Sequence, residues 1–275
     1  NKPVLDKYGQ DENSPDKYKG DWVDLFKSSS LKDWEYAGRF YRRKTDNSWT
    51  QENEDDMCPS FLPLPDKEEG GTKSGKHLQL FISHNKGCQY YIGEYDQKDD
   101  KFRPETHGRM SWVDNTFFPP EALIDGSGRQ IMWAWLTDNY YDDGNKALQK
   151  KGWTGVYGLP RKLWLGNDNN LCLAPVEELK QLRYNKKSFS PVALQQGEKR
   201  ELKDINGESS EIKLSITPRS ATKVGLKVRT SPAEEEVTLL YYNSETKELV
   251  FDATNSGVKG RLVKETAPFQ LRKSE

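Results

Sequence analysis

Four times along its 275 residues this chain sets two short apolar segments on either side of a turn of Gly, Asn, Asp or Ser. Leu78-Gln79-Leu80-Phe81-Ile82 faces Gln89-Tyr90-Tyr91-Ile92-Gly93 across Asn85-Lys86-Gly87. Glu121-Ala122-Leu123-Ile124 faces Arg129 through Leu136 across Asp125-Gly126-Ser127-Gly128. Lys162-Leu163-Trp164-Leu165 meets Leu171-Cys172-Leu173 across Gly166-Asn167-Asp168-Asn169, and Val237 through Tyr242 meets Leu249-Val250-Phe251 across Asn243-Ser244-Glu245-Thr246. Apolar arms this short, rich in β-branched and aromatic residues, are strands rather than helices, and such turns fold them back as hairpins. The pattern commits the chain to an all-β, antiparallel fold.

Asp21 to Ser28 alternates apolar and polar residues, and a Ser-rich turn leads on into Glu35-Tyr36-Ala37. Repeated hairpins of this size are the material of propeller blades. Val176, Leu179 and Leu182 recur at helical spacing, so Pro175 to Arg183 is the one short helix expected. Beyond it the composition changes. Asn185 to Gly207 is polar, and from Glu211 short alternating segments appear at Ile212, Leu214 and Ile216 and at Val224, Leu226 and Val228, the pattern of a β-sandwich. The expected domains are 1–184, a propeller part, and 185–275, an incomplete sandwich.

The bulk composition narrows the function. Eight Trp, 13 Tyr and 10 Phe are too many aromatics for a disordered chain. Lys plus Arg, at 42, balances Asp plus Glu, at 43, so no basic excess points to nucleic acid or to a membrane surface. No apolar run approaches the roughly 20 residues of a membrane span. Cys58, Cys88 and Cys172 fit neither a zinc site nor a disulfide scaffold, and His77, His84 and His107 lack metal-ligand spacing. A neutral ligand, such as a sugar, suits a charge-balanced and aromatic-rich β protein.

The chemistry concentrates in an ordered series of motifs. Glu54-Asp55-Asp56-Met57-Cys58-Pro59-Ser60-Phe61 comes first, with three consecutive carboxylates running into Cys-Pro. Thr116-Phe117-Phe118-Pro119-Pro120-Glu121-Ala122, Met132-Trp133-Ala134-Trp135-Leu136 and Gly152-Trp153-Thr154-Gly155-Val156-Tyr157-Gly158-Leu159-Pro160-Arg161 follow in that order. The series resembles the second half of the catalytic domain of glycoside hydrolase family 32, the invertases, inulinases and levanases. The resemblance implies a five-bladed β-propeller followed by a β-sandwich, here as an internal fragment. The family's Trp-x-Asn-Asp-Pro-Asn-Gly segment, whose Asp is the nucleophile, and its Arg-Asp-Pro do not occur in these 275 residues.

A retaining glycosidase needs two carboxyls, one as nucleophile and one as acid/base, and the acid must hold its proton near neutral pH. The family's acid is a Glu directly before Cys-Pro, and here that position is Met57. Either the acid has moved into the cluster upstream or the site has lost it. Strand alternation favours Asp55, a bulge favours Asp56, and Glu54 completes the candidates. In the second motif Thr116 stands where the family commonly has Asp, with Asp114 two residues earlier as a substitute. Phe118 stands where the family has a Tyr that lines the sugar pocket. Trp135 matches the Trp beside the substrate, where an indole face stacks on a sugar ring, and Trp133 is left to the core. Cys58 belongs to the same substrate-side motif. Arg161 is expected to form a salt bridge, structural or to a site carboxylate.

The resemblance therefore implies a glycosidase acting on a carbohydrate partner, sucrose, inulin or levan, by retention and without metal or organic cofactor. The chain alone, lacking the nucleophile, is expected to be inactive. Secretion or a periplasmic location follows from the resemblance only. A glycan-binding homologue without turnover, and a neighbouring propeller glycosidase acting on arabinosides or galactosides, are the alternatives.

Overall fold

The computed structural model describes residues 22–42, 49–51, 54, 56–83, 86–111, 116–137, 152–205, 207, 209–257 and 262–271. These divide into two compact units, one ending at Val176 and the other running from Glu177.

The first unit is built of antiparallel sheets. Strands β1 (Trp22–Lys27) and β2 (Glu35–Arg42) form a two-stranded ribbon. Strands β3 (Met57–Pro65), β4 (Lys73–Ser83), β5 (Gly87–Asp96) and β6 (Lys101–Arg109) form a four-stranded meander in chain order. The third sheet holds β7 (Phe117–Ile124), β8 (Gln130–Leu136), β9 (Val156–Tyr157), β10 (Arg161–Leu165) and β11 (Leu171–Pro175). Here β8 is shared: its first half pairs with β10 and its last two residues with β9. The three hairpins expected in this unit are all present. Asp125 secures the β7–β8 turn by accepting hydrogen bonds from the Ser127 and Arg129 backbone amides, both at 2.9 Å.

The β3–β6 sheet is a middle layer, and alternation decides what each face meets. Leu78, Leu80 and Ile92 point one way and pack with Leu64, Met132 of β8 and Leu163 of β10, so one core cluster joins two sheets. Phe81, Tyr91 and Phe102 point the other way, onto Phe40 and Tyr41 of β2. Because both faces are covered, the last six residues of β4 are all buried. Each fully buried Leu or Phe contributes about 1.5–3 kcal/mol of transfer free energy. A sandwiched sheet gains it on both sides.

The second unit carries one four-stranded antiparallel meander, β12 (Lys223–Val228), β13 (Val237–Asn243), β14 (Glu248–Asn255) and β15 (Lys264–Pro268). The expected short helix is present as a 3-10 helix over Glu177–Leu182, with none of its residues buried. One expectation is corrected in this unit. Ile212, Leu214 and Ile216 stand exposed outside any strand, because no neighbouring strand lies beside them to complete a ladder among the described residues. Polypeptide of both units is thus all-β, in the strand arrangement of propeller blades followed by part of a sandwich.

Candidate active site

Two of the three clustered carboxylates are described, Glu54 and Asp56; Asp55 and Asp114 lie outside the described residues. Both described carboxylates meet one face of the β3–β6 sheet, the face that carries Gln79, Phe81, Gln89 and Tyr91. Their partners are polar residues spaced along otherwise apolar strands.

Glu54 is 2% exposed. Its Oε2 accepts from the Gln89 side-chain amide at 2.7 Å, and its Oε1 from the Gln51 backbone amide at 3.1 Å. Arg109 Nη2 donates to Oε1 at 3.1 Å and to Oε2 at 3.4 Å. Burial pushes the Glu54 carboxyl up, but the Gln89 and Gln51 hydrogen bonds and the Arg109 charge outweigh it and hold the group below its ordinary range. Glu54 is therefore a fixed anion, an environment opposite to the one that keeps a proton available at neutral pH. Gln89 Oε1 meets His107 Nε2 at 2.8 Å. Since the Gln89 nitrogen already serves Glu54, His107 must be the donor there.

Asp56 is half-buried. Its Oδ2 accepts from Gln79 Nε2 at 2.7 Å and from the Tyr41 hydroxyl of β2. Met57 follows it and pairs with Ile82, which belongs to the opposite face of β4. Consecutive strand residues point to opposite faces, so Asp56 and Met57 diverge. The register shifts between Met57 and Ser60, and Cys58 sits at a φ of 49° within that irregularity, with its side chain exposed. A bulge is thus present immediately after the acidic cluster. Beyond it Ser60 Oγ donates to Glu121 Oε1 of β7 at 2.9 Å, tying the Cys-Pro strand to the next sheet.

Phe118 and Trp135 are brought together. They are cross-strand partners on β7 and β8, with ring centroids 6.3 Å apart in an edge-on arrangement. Gly155 backs the indole so closely that a Cβ there would stand 1.7 Å from Trp135 Nε1. Trp133 shares this face of β8 and is half-buried, whereas Met132 and Ala134 on the other face are buried. Trp133, left to the core by the sequence, is thus half-buried on the face that it shares with Trp135. The ion pair expected for Arg161 is absent among the described residues; its guanidinium lies 4.7 Å from the centre of the Phe117 ring instead. Burial lowers the Arg161 pKa.

Sequence reasoning missed Gln79, Gln89, His107, Arg109 and Tyr41. The only signal was a polar residue at an inward position of a strand, such as Gln79 between Leu78 and Leu80. No group of three or more metal-ligating side chains is present among the described residues.

Comparison with known proteins agrees over most of the chain. The profile of the N-terminal domain of glycosyl hydrolases family 32 matches residues 13–175, and that of the family's C-terminal domain matches residues 178–275. A rice protein named β-fructofuranosidase, insoluble isoenzyme 4, is 30% identical over 209 residues, covering 70% of this chain and 33% of that protein. A fructan 1-exohydrolase of Leymus chinensis is 28% identical over 209 residues, with the same coverage of 70% and 33%. The chain spans about a third of the length of these curated relatives. Among solved structures, the exo-inulinase of Aspergillus awamori superposes with a TM-score of 0.65 at 17% identity, over 92% of this chain and 51% of that one. A Bombyx mori β-fructofuranosidase superposes at 0.62 and 16% identity, over 90% of this chain and 48% of that one. Both share the propeller-plus-sandwich fold.

Proposed function

The chain belongs to glycosyl hydrolases family 32, and on that footing we propose that the whole protein hydrolyses β-fructosides of the sucrose, inulin or levan type by retention. The observation that carries the reading is the match of both family domains, in order, on one chain, over residues 13–175 and 178–275. Relatives that bear the names β-fructofuranosidase and fructan 1-exohydrolase support it.

Within the described residues we assign the acid/base to Asp56. Glu54 is held as an anion by Arg109 and suits an anchoring role. Asp56 Oδ2 accepts hydrogen bonds from Tyr41 and Gln79, and the residue stands directly before the Met57-Cys58-Pro59 segment, beside the position where the family has its acid. The nucleophile is not supplied by the family's usual motif in these residues, so the mechanism needs a second carboxylate, and the chain alone is expected to release no fructose. Trp135 and Phe118 form the aromatic platform for the sugar, and exposed Cys58 belongs to the rim of the same site.

The test is fructose release from sucrose, inulin and levan by the full-length protein and by its Asp56→Asn variant. Turnover that falls by about 10²–10⁴ in the variant supports the assignment, because that is the usual contribution of a general acid. Unchanged turnover removes Asp56 from the mechanism. Met57 favours one second reading, a glycan-binding homologue; saturable fructan binding with no fructose released would establish it.

A further inference from the structure

The aromatic pair of Phe118 and Trp135 belongs to a longer row. Trp135 is the cross-strand partner of Phe118 on β7 and, on its other side, of Tyr157 on β9. Directly opposed residues of an antiparallel ladder project from the same face, with their Cβ atoms about 5 Å apart. Phe118, Trp135 and Tyr157 therefore stand side by side on one face of three neighbouring strands, in a row about 10 Å long. Its two ends differ: Phe118 and Trp135 are half-buried, whereas Tyr157 is 80% exposed.

The chain just before Tyr157 fixes its place. Gly155, at a φ of 67°, closes against the Trp135 indole, and Val156 pairs with Leu136. Tyr157 is thus carried on a short strand that is tied to the platform and yet left open. Trp153, Val156 and Leu159 around it are 56%, 51% and 65% exposed, so this segment offers a patch of large apolar side chains. An apolar patch continuous with a site marks a binding surface, unlike a single exposed side chain. One furanose ring covers Phe118 or Trp135 but not the whole row. We propose that Tyr157 is a specificity-determining residue: its ring packs against the sugar on the leaving-group side of the scissile bond, while Phe118 and Trp135 take the fructosyl ring. The inference rests on the fructosidase reading, which puts the fructosyl ring on that pair. A tyrosine suits the place, because its ring gives an apolar face to the C–H side of a sugar while its hydroxyl stays in water. Such a contact reads a ring and not its hydroxyl pattern, so pyranose and furanose leaving groups are both accepted.

The test uses the full-length protein and its Tyr157→Ala and Tyr157→Phe variants. The substrates are methyl β-D-fructofuranoside, which has no second ring, and sucrose and 1-kestose, whose leaving rings are a pyranose and a furanose. The readout is kcat/KM for sucrose or 1-kestose divided by that for the methyl fructoside, a ratio from which any change in overall activity cancels. Tyr157→Ala is expected to lower the ratio about three- to tenfold, the scale of one aromatic contact, and Tyr157→Phe to keep it. Both variants are expected to fold, since replacing an exposed side chain costs little stability. If no fructoside is hydrolysed, the fructosidase reading fails by itself, and the same ratio is then read from dissociation constants measured by tryptophan fluorescence. A wild-type protein with no preference for a second ring, a ratio unchanged in Tyr157→Ala, or one lowered as far by Tyr157→Phe would overturn the proposal. An unchanged ratio with a lowered urea midpoint would overturn it too, by assigning Tyr157 to packing against other polypeptide.

Discussion

Glu54 shows how far a residue's neighbours outweigh its chemistry. A buried carboxylate would ordinarily be pushed toward the neutral form, yet Gln89, the Gln51 amide and Arg109 keep this one charged. The consequence for stability has a definite sign. A carboxyl whose folded pKa lies below its unfolded value stabilises the fold above the unfolded pKa, near 4.5, and that contribution is lost as pH falls through the lower folded value. Glu54→Gln is therefore expected to destabilise the protein by about 2–3 kcal/mol at pH 7, the loss of hydrogen bonds to a charged group. The difference from wild type should shrink below pH 4.5. Urea midpoints measured from pH 7 down to pH 3 give both quantities; a variant gap that stays constant with pH would remove the ionised Glu54 from the account. The carboxylates themselves were plain in the sequence. Their partners were not, because Gln89 and Arg109 lie 35 and 55 residues away from Glu54 and meet it only once β5 and β6 are in register.

The strands followed their local patterns closely wherever a turn defined the hairpin. The β4–β5, β7–β8, β10–β11 and β13–β14 pairs stand where alternation and turn residues placed them. Strands β6 and β15 were not foreseen, since Lys101–Arg109 and Lys264–Pro268 are too polar to carry an apolar alternation. The segment around Leu214 had the alternation but acquired no pairing partner among the described residues, and a strand exists only in a ladder. The β8–β9 pairing offers a test at this level. Gly155 has a φ of 67° and lies against the Trp135 indole, so Gly155→Ala meets both a backbone penalty and a clash. It is expected to cost more than about 1 kcal/mol and to shift tryptophan emission as Trp135 is displaced. Unchanged emission with unchanged stability would mean that the Gly155 backbone does not hold the indole.

The first unit gains its stability between sheets as much as within them. Leu163 of β10 and Met132 of β8 share a core cluster with Leu64, Leu78, Leu80 and Ile92 of the neighbouring sheet. Leu163→Ala is accordingly expected to cost about 2–5 kcal/mol, the range for a buried leucine that leaves a cavity. Both sheets should lose hydrogen-exchange protection together, and loss confined to β10 and β11 would show that the two sheets unfold separately. Alternation, turn chemistry and an ordered motif series are properties of neighbouring residues, so strand class, hairpins and family were determined by the sequence alone. Which carboxylate is an anion depends on atoms from strands far apart in the chain. Register and packing bring those atoms within hydrogen-bond range, and a short-range pattern carries no record of the distance between them.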